Sequence, residues 1–420
     1  MESLRRLLGN RPYGMDYQEI DDKPSDAIHP VSSSSSIGTI CGYMQSFFSI
    51  CFCAPALESR TIIRADSLEN EVANYISAIK SEDTARLINA VAIMHRAIKN
   101  DPAARRDCEV FYRPDGVLVR ITSIDSATNL PTAYLGRGTY KVIELALKQQ
   151  ENGGLPKLLP VALARVTKTD VKKYSELTAG YRVHAKINHP CIIKLYEYFE
   201  HNKALYVQLE YLNGGDLLNM VLSPTEAFLK QRHRVIEHIL KALKYLEGAG
   251  IRHRDIKLEN FILELIDGEY TCKLSDFDWA TSLAEELESY LNNKEVYGSY
   301  HYVCPQIAKL LINCRKAKKK VKEEAASSKS DVWSGGVCIF GILYGGFPPY
   351  INTKLESRLL LQEISKVSSS TITEIFKDKT QRIPQLVKRM LNPDAQQRIT
   401  AKEALSIFQK KKQNKDAIMG

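Results

Sequence analysis

No pair of cysteines in this chain has metal-binding spacing. Nine cysteines are scattered along 420 residues, and none forms a CxxC pair with a second pair or a histidine pair at zinc distance. An odd count without a framework suits a reducing compartment, so the expected location is cytoplasmic. The basic stretch Met1–Gly14 has no apolar core of signal-peptide length behind it. No internal repeat is visible. Charge of one sign is not extreme: 58 Lys and Arg stand against 49 Asp and Glu, a net charge of +9. That excess suits anionic partners such as phosphates, acidic proteins or a membrane surface, and it is too mild to indicate nucleic acid. With 44% hydrophobic and 25% charged residues the composition is globular, which excludes a fibrous or wholly disordered chain and allows two or three domains.

Residues 1–60 differ from the rest. Ser32–Ser36 is a low-complexity run, and Ile37–Leu57 is an uncharged stretch of 21 residues. It has the length of a membrane span, but Gln45, Ser46, Ser49, two glycines and Pro55 dilute it. It reads as a sticky, partly disordered segment, or as a membrane contact through 37–57 with acylation at Cys51 or Cys53. Residues 61–108 form a helical extension. Leu68, Val72, Tyr75, Ile76 and Ile79 recur at helical spacing, as do Leu87, Val91, Met94 and Ile98, and Pro102 is expected to end the second helix.

From Glu109 the period changes. Val110–Tyr112 and Val117–Ile121 flank Pro-Asp-Gly and predict a hairpin. Strand-like runs follow at Ala133–Leu147, Leu159–Val166, Ile192–Phe199 and Ala204–Tyr211, interrupted by one helix, Lys172–Ile187. After Asp216 the pattern turns helical, with Val235, Ile236, Ile239, Leu240, Leu243 and Leu246 on one face and Gly248 as the stop. A strand-rich half followed by a helical half predicts an α+β fold of two lobes. The basic run Arg315–Lys322 reads as a solvated insertion. Val332–Tyr344 is too short to span a bilayer and reads as a buried helix.

Chemistry concentrates in His253-Arg254-Asp255-Ile256-Lys257-Leu258-Glu259-Asn260, followed 21 residues after Asp255 by Asp276-Phe277-Asp278. Phosphoryl transfer needs a carboxylate that orients the acceptor, metal ligands, and positive charge near the phosphates. Asp255 can orient a hydroxyl and accept its proton. Lys257 can neutralise the transferred group. Asn260 and Asp276 can hold magnesium. A lone His-Arg-Asp would be weak; the full run with the following Asp-Phe is highly specific.

These residues resemble the eukaryotic-type protein kinase family over about residues 130–410. Gly136-Arg137-Gly138-Thr139-Tyr140 resembles the glycine-rich loop, Ile187-Asn188-His189-Pro190 the turn after helix C, and Glu210-Tyr211-Leu212 the hinge, with Leu209 as gatekeeper. Gly298–Tyr302 and Cys304-Pro305-Gln306 resemble the substrate-facing end of the activation segment. Asp331-Val332-Trp333 resembles a buried anchor helix, and Arg398 the arginine that pairs with residue 306. The resemblance implies a bilobal α+β fold: a small antiparallel lobe with helix C, then a larger helical lobe. The kinase-like domain would span 109–412, with a basic tail at 413–420. ATP and Mg2+ are the implied cofactors, in a cleft between the lobes. Nucleotide contacts are implied at Gly136, Gly138, Lys141, Ala162, Glu210, Leu212, Asp216 and Ile262, and metal ligands at Asn260 and Asp276. Lys257 and Ser299 resemble the serine/threonine branch, whose substrate is a protein hydroxyl. Arg254 implies control by phosphorylation, with Ser282, Ser289, Tyr290, Tyr297 and Ser299 as candidate acceptors.

The pattern breaks in five places. The strand-3 lysine position is Ala164, in Val161-Ala162-Leu163-Ala164, while Lys141 stands at the third glycine of the glycine-rich motif. That pair of changes resembles the with-no-lysine kinases, where a lysine from the preceding strand reaches the same phosphates; a long, flexible side chain permits the move. The helix C glutamate position falls on Gly180, with Glu176 one turn earlier, and a glycine in mid-helix costs about 1 kcal/mol against alanine and predicts a mobile helix. Asp278 replaces the third residue of Asp-Phe-Gly, and Gln306 makes the pairing with Arg398 neutral. His184 reads as a satisfied core histidine. Two functions are consistent with this: an active serine/threonine kinase using Lys141, and a pseudokinase that binds proteins and transfers little or no phosphate.

Overall fold

A computed structural model describes residues 84–416 apart from 99, 125–131, 139, 151–156, 168–170, 293–295, 314–316 and 328. The serine run, the stretch 37–57 and the first of the two amphipathic helices lie outside the described residues. These fall into two compact units, one up to Thr167 and one after it.

The first unit is a sheet with a helix on it. Helix α1 (Thr84–Ile98) buries Ala90, Met94 and Ala97 completely and packs on strands β2 (Gly116–Ile121) and β4 (Lys141–Gln150). Pro102 does not end α1. It opens a short helix, α2 (Pro102–Arg105), whose cap Asp101 accepts from the Ala103 amide at 2.9 Å. Proline lacks an amide hydrogen, so the first turn of a helix suits it better than a helix end several residues earlier. Strand β1 (Cys108–Arg113) forms the expected hairpin with β2, closing at Arg113 opposite Gly116.

The run expected as one strand from Ala133 is two, β3 (Tyr134–Arg137) and β4, joined by a tight turn in which Gly138 N donates to Lys141 O at 2.8 Å. One edge of β4 serves both neighbours: β3 pairs along Val142–Glu144 and β2 along Ala146–Gln149. The other edge pairs with β5 (Lys157–Thr167) along its whole length. The added hairpin is therefore continuous with the rest of this sheet. Arg120 on β2 cements the join. It grips Glu144, 0% exposed, through two bonds of 2.6 and 3.1 Å, and reaches Glu109 on β1 at 3.1 Å. A forked guanidinium on a buried carboxylate satisfies both charges in one geometry.

The second unit begins with helix α3 (Val171–His184) and the hairpin β6 (Leu195–His201) and β7 (Ala204–Glu210), whose turn residues Asn202 and Lys203 both have positive φ. Helices α4 (Leu217–Leu222) and α5 (Glu226–Gly248) follow. The apolar face of α5 is buried as its spacing predicts and the helix ends at Gly248 as expected, with Gly250 as the left-handed residue beyond it. Strand β8 (Ile251–Arg252) leads into the chemical motif, and the hairpin β9 (Phe261–Ile266) and β10 (Glu269–Leu274) turns on Asp267-Gly268. Strand β11 (Thr281–Ser282) and helices α6 (Leu283–Leu291), α7 (Pro305–Ile312), α8 (Lys319–Ala326), α9 (Ser330–Tyr344), α10 (Ser357–Ser365), α11 (Ser369–Ile375), α12 (Arg382–Met390) and α13 (Ala401–Asp416) complete it. Helix α9 is buried from Asp331 to Ile342, and α13 carries the helix through the first four residues expected as a tail.

The basic run is not simply solvated. Lys318, Lys319 and Lys320 are exposed, but α8 packs on α6 and α7. Lys322 is 6% exposed, and its Nζ lies 3.5 Å from Leu291 O, at the last turn of α6. A cation there meets carbonyls that the helix itself cannot satisfy.

Candidate active site

The loop 253–257 is held at both ends. Before it, β8 pairs with β11, Arg252 opposite Thr281. After it, Ser275 N and Oγ both donate to Asn260 O at 2.8 Å, which sets Asn260 beside Asp276. From below, Asp331 at the start of α9 accepts the His253 and Arg254 amides at 2.8 and 3.1 Å. Those two bonds tie the loop to the most buried helix of the unit. Arg254 and Asp276 adopt left-handed backbone, φ 69° and 64°. Burial lowers the His253 pKa, and the neutral ring donates Nε2–H to Ser275 O at 2.9 Å while Nδ1 accepts from Asp255 N at 3.3 Å.

Asp255 is 9% exposed and is the centre of a compact network. Its Oδ2 accepts from Lys257 Nζ at 2.7 Å and from Asn260 Nδ2 at 3.2 Å; Asn260 Nδ2 also donates to Asp255 O at 2.7 Å. Its Oδ1 accepts from Ser299 Oγ at 2.7 Å and Ser299 N at 3.2 Å. Lys257 Nζ is also 3.2 Å from Ser299 Oγ. Burial works against the Lys257 charge, but Asp255, with Asp276 and Glu259 behind it, outweighs burial and raises the pKa, so the ammonium persists. Burial raises the pKa of Glu259, which accepts from Tyr302 OH at 3.1 Å.

Asp255, Lys257 and Asn260 are thus brought together, and the backbone bonds put Asp276 next to them. The amide nitrogen of Asn260 is committed to Asp255, which leaves its oxygen as acceptor. One carboxylate and one amide oxygen fit a magnesium ion that takes most of its other ligands from phosphate and water. Among the described residues no three His, Cys, Asp or Glu side chains form a complete metal cage.

The implied nucleotide contacts fall in two groups. In the second unit, Glu210 accepts from Lys273 Nζ at 2.5 Å and Lys194 N at 3.1 Å, and Leu212 is buried. Asp216 caps α4 and is bridged to Ile262. In the first unit, Lys141 pairs with Val166 and Ile143 with Ala164, so Lys141, Ala162 and Ala164 share one face of the sheet, with Lys141 diagonal to Ala164. Lys141 is 7% exposed, and its stem covers Gly138, whose added Cβ would lie 3.2 Å from Lys141 Cγ. Gly136 is in β3 with open space around it.

The candidate acceptors separate by environment. Tyr290 is 2% exposed and donates to Glu286, Ser282 is the cap of α6, and Ser299 is engaged by Asp255. The Tyr297 ring stacks on Trp279 at 4.3 Å and lies 5.0 Å from the Arg254 guanidinium. Gln306 does bond Arg398, at 3.1 Å, and its amide nitrogen also reaches Pro393 O at 2.7 Å. His184 is a core histidine, 2% exposed, with Nε2 2.7 Å from Ile193 O.

Sequence reasoning missed the support behind the loop. Arg252, next to the motif, has Nε 3.5 Å from Glu286 Oε2 on α6 and Nη2 3.5 Å from Ala326 O on α8. Glu286 is 1% exposed, and burial pushes its pKa up to about 7, with Arg252 and the Tyr290 hydroxyl pulling it back down. A carboxyl whose folded pKa is raised binds more protons folded than unfolded, so stability falls as pH rises from about 4.5 to 7. Glu286→Gln should flatten that slope, which amounts to on the order of 3 kcal/mol between pH 5 and 8. Urea unfolding across that range checks this, and an unchanged slope counts against the assignment.

Known proteins resemble this chain over the region that holds the loop. The family model described as the protein kinase domain matches residues 132–407. The chain is similar to serine/threonine-protein kinase GL21140 of Drosophila persimilis, 30% identical over 277 residues, 65% of this chain and 33% of that one. It is also similar to calcium-dependent protein kinase 3 of Plasmodium berghei, 28% identical over 312 residues, 73% of this chain and 51% of that one. The matches thus span about a third to a half of those relatives' length. Among solved structures, Rad53 in complex with AMP-PNP is similar at a TM-score of 0.47 and 22% identity, covering 72% of this chain and 64% of that one. With the family model filling two thirds of its length, the chain belongs to the eukaryotic-type serine/threonine protein kinase family and has that family's bilobal α+β fold.

Proposed function

We propose that the chain transfers the γ-phosphate of ATP to serine or threonine hydroxyls of a protein substrate, with Asp255 as base and Lys141 in place of the missing strand lysine. The observation that carries the reading is the environment of Asp255. One oxygen already accepts a serine hydroxyl at 2.7 Å, and Lys257 lies beside both partners. A substrate hydroxyl in equivalent contact would pass its proton to Asp255 as its oxygen bonds to phosphorus and the bond to the ADP oxygen breaks. Lys257 stays protonated and neutralises charge on the group in transit. Bound magnesium would screen the phosphate charge, and Asn260 and Asp276 are the residues that would hold it.

The support for Lys141 is its place on the sheet. It shares a face with Ala164 and lies diagonally across from it, so a four-carbon stem can bring an ammonium to the ground a lysine at 164 would cover. Ala164, 1% exposed, is also what favours the second reading, a pseudokinase that uses the fold to bind proteins.

The test is transfer from labelled ATP with magnesium to a generic basic protein, for the parent chain, Asp255→Ala and Lys141→Met. Loss of about a hundredfold or more in both variants is expected. Full activity in Lys141→Met would remove that lysine from the mechanism and leave the kinase. A folded parent that transfers nothing would favour the pseudokinase. Among the described residues no helix is long and apolar enough to cross a membrane. Membrane contact through 37–57 remains a proposal that rests on composition.

A further inference from the structure

One face of α3 is engaged along its length by the segment that starts at Asp276. Gly180 marks the closest approach: a Cβ there would lie 2.3 Å from Phe277 O and 2.6 Å from Asp278 O. No side chain fits, so the glycine that reads as a weakness of the helix is what lets it seat on the backbone of 277–278. The next residue, Tyr181, is 3% exposed and donates its hydroxyl to Asp278 Oδ1 at 2.9 Å; Asp278 is 6% exposed. Toward the end of α3 the His184 ring stacks on Phe277 at 4.2 Å, and the opposite neighbour of Phe277 is His253 at 4.7 Å. One turn before Gly180, Glu176 accepts from Tyr297 OH at 2.5 Å.

The two departures at 180 and 278 are therefore one arrangement. The helix has given up its side chain where the backbone of 277–278 needs the space. The segment carries an acid where a tyrosine of the helix can reach it. A buried carboxylate needs a donor, and Tyr181 supplies one within the same contact.

We propose that Tyr181 and Asp278 are a positioning pair that clamps α3 to residues 276–278 and so fixes the backbone bearing Asp276. Neither residue touches a reacting atom. The inference rests on the reading of Asp276 as a metal-holding carboxylate.

The test compares the parent with Tyr181→Phe, Asp278→Ala, the double variant of these two, and Asp278→Asn, whose amide oxygen can still accept the hydroxyl. Two readouts are taken: amide hydrogen exchange of 171–184 and 274–280 without nucleotide, and kcat with the magnesium concentration needed for half-maximal rate. Tyr181→Phe and Asp278→Ala should each speed exchange in those two segments, lower kcat by about tenfold or more, and raise the magnesium requirement several-fold. The double variant should be no worse than either single, and Asp278→Asn should restore most of the loss. Independent, additive effects, or a magnesium requirement like the parent's, would overturn the pair. If the parent transfers no phosphate the kinase reading fails, and exchange still decides the pair: uncoupled exchange in the two single variants refutes it.

Discussion

Asp255→Asn should leave the chain folded and lower phosphate transfer by about a thousandfold, the scale of a lost general base. Asparagine keeps the shape, and its oxygen can still accept the Ser299 hydroxyl that lies 2.7 Å from Asp255. What disappears is the charge that receives a proton and holds Lys257 at 2.7 Å. The backbone supports of the loop, Asp331 beneath His253 and Arg254, do not involve the altered side chain. Initial rates with labelled ATP, beside a thermal melt, separate chemistry from folding. A rate within tenfold of the parent would mean that Asp255 orients the acceptor without taking its proton.

Trp333→Ala should be the most destabilising single change outside that loop. Trp333 is 0% exposed on α9, with the Arg398 guanidinium 4.9 Å from its ring and Tyr350 at 5.9 Å. Removing it leaves a cavity in a close-packed core and takes the ring from a buried arginine, a loss of about 3–5 kcal/mol. For a unit of this size that lowers the melting temperature by on the order of 10 °C. Its indole nitrogen has no hydrogen-bond partner among the described residues, so Trp333→Phe should cost well under half as much. Equal losses in the two variants would point to a polar role for the indole. Because Asp331 sits two residues earlier on α9, activity should fall with stability in the alanine variant.

The chemical motif was legible because its residues are close in sequence: His253 to Asn260 are consecutive, and Asp276 follows just after the next hairpin. The hairpins at Pro114-Asp115-Gly116 and Asp267-Gly268 were encoded just as locally, by residues that suit tight turns. Gly180 shows the limit. Propensity makes a glycine in mid-helix a source of mobility, whereas its use depends on carbonyls almost a hundred residues away. Lys322 fails to show for a related reason. Within a run of lysines nothing marks the one that turns inward, and the carbonyl it meets belongs to a helix about thirty residues earlier. The boundary between β3 and β4 was present in the sequence as Gly136-Arg137-Gly138 inside the run Ala133–Leu147, and the bond from Gly138 N to Lys141 O closes the turn there.

The hairpin β1–β2 lies wholly before residue 132, where the match to the family begins, yet it shares one edge of β4 with β3. The limit of likeness and the limit of the folding unit are thus different places. A chain cut at the first would bare four residues of β4 edge and leave Glu144 buried without Arg120. An open strand edge seeks another strand, and a buried acid without its partner favours unfolding. The extension is therefore one side of this unit's own sheet, tied by the hydrogen-bond ladder along Ala146–Gln149 to the strand where the kinase match runs.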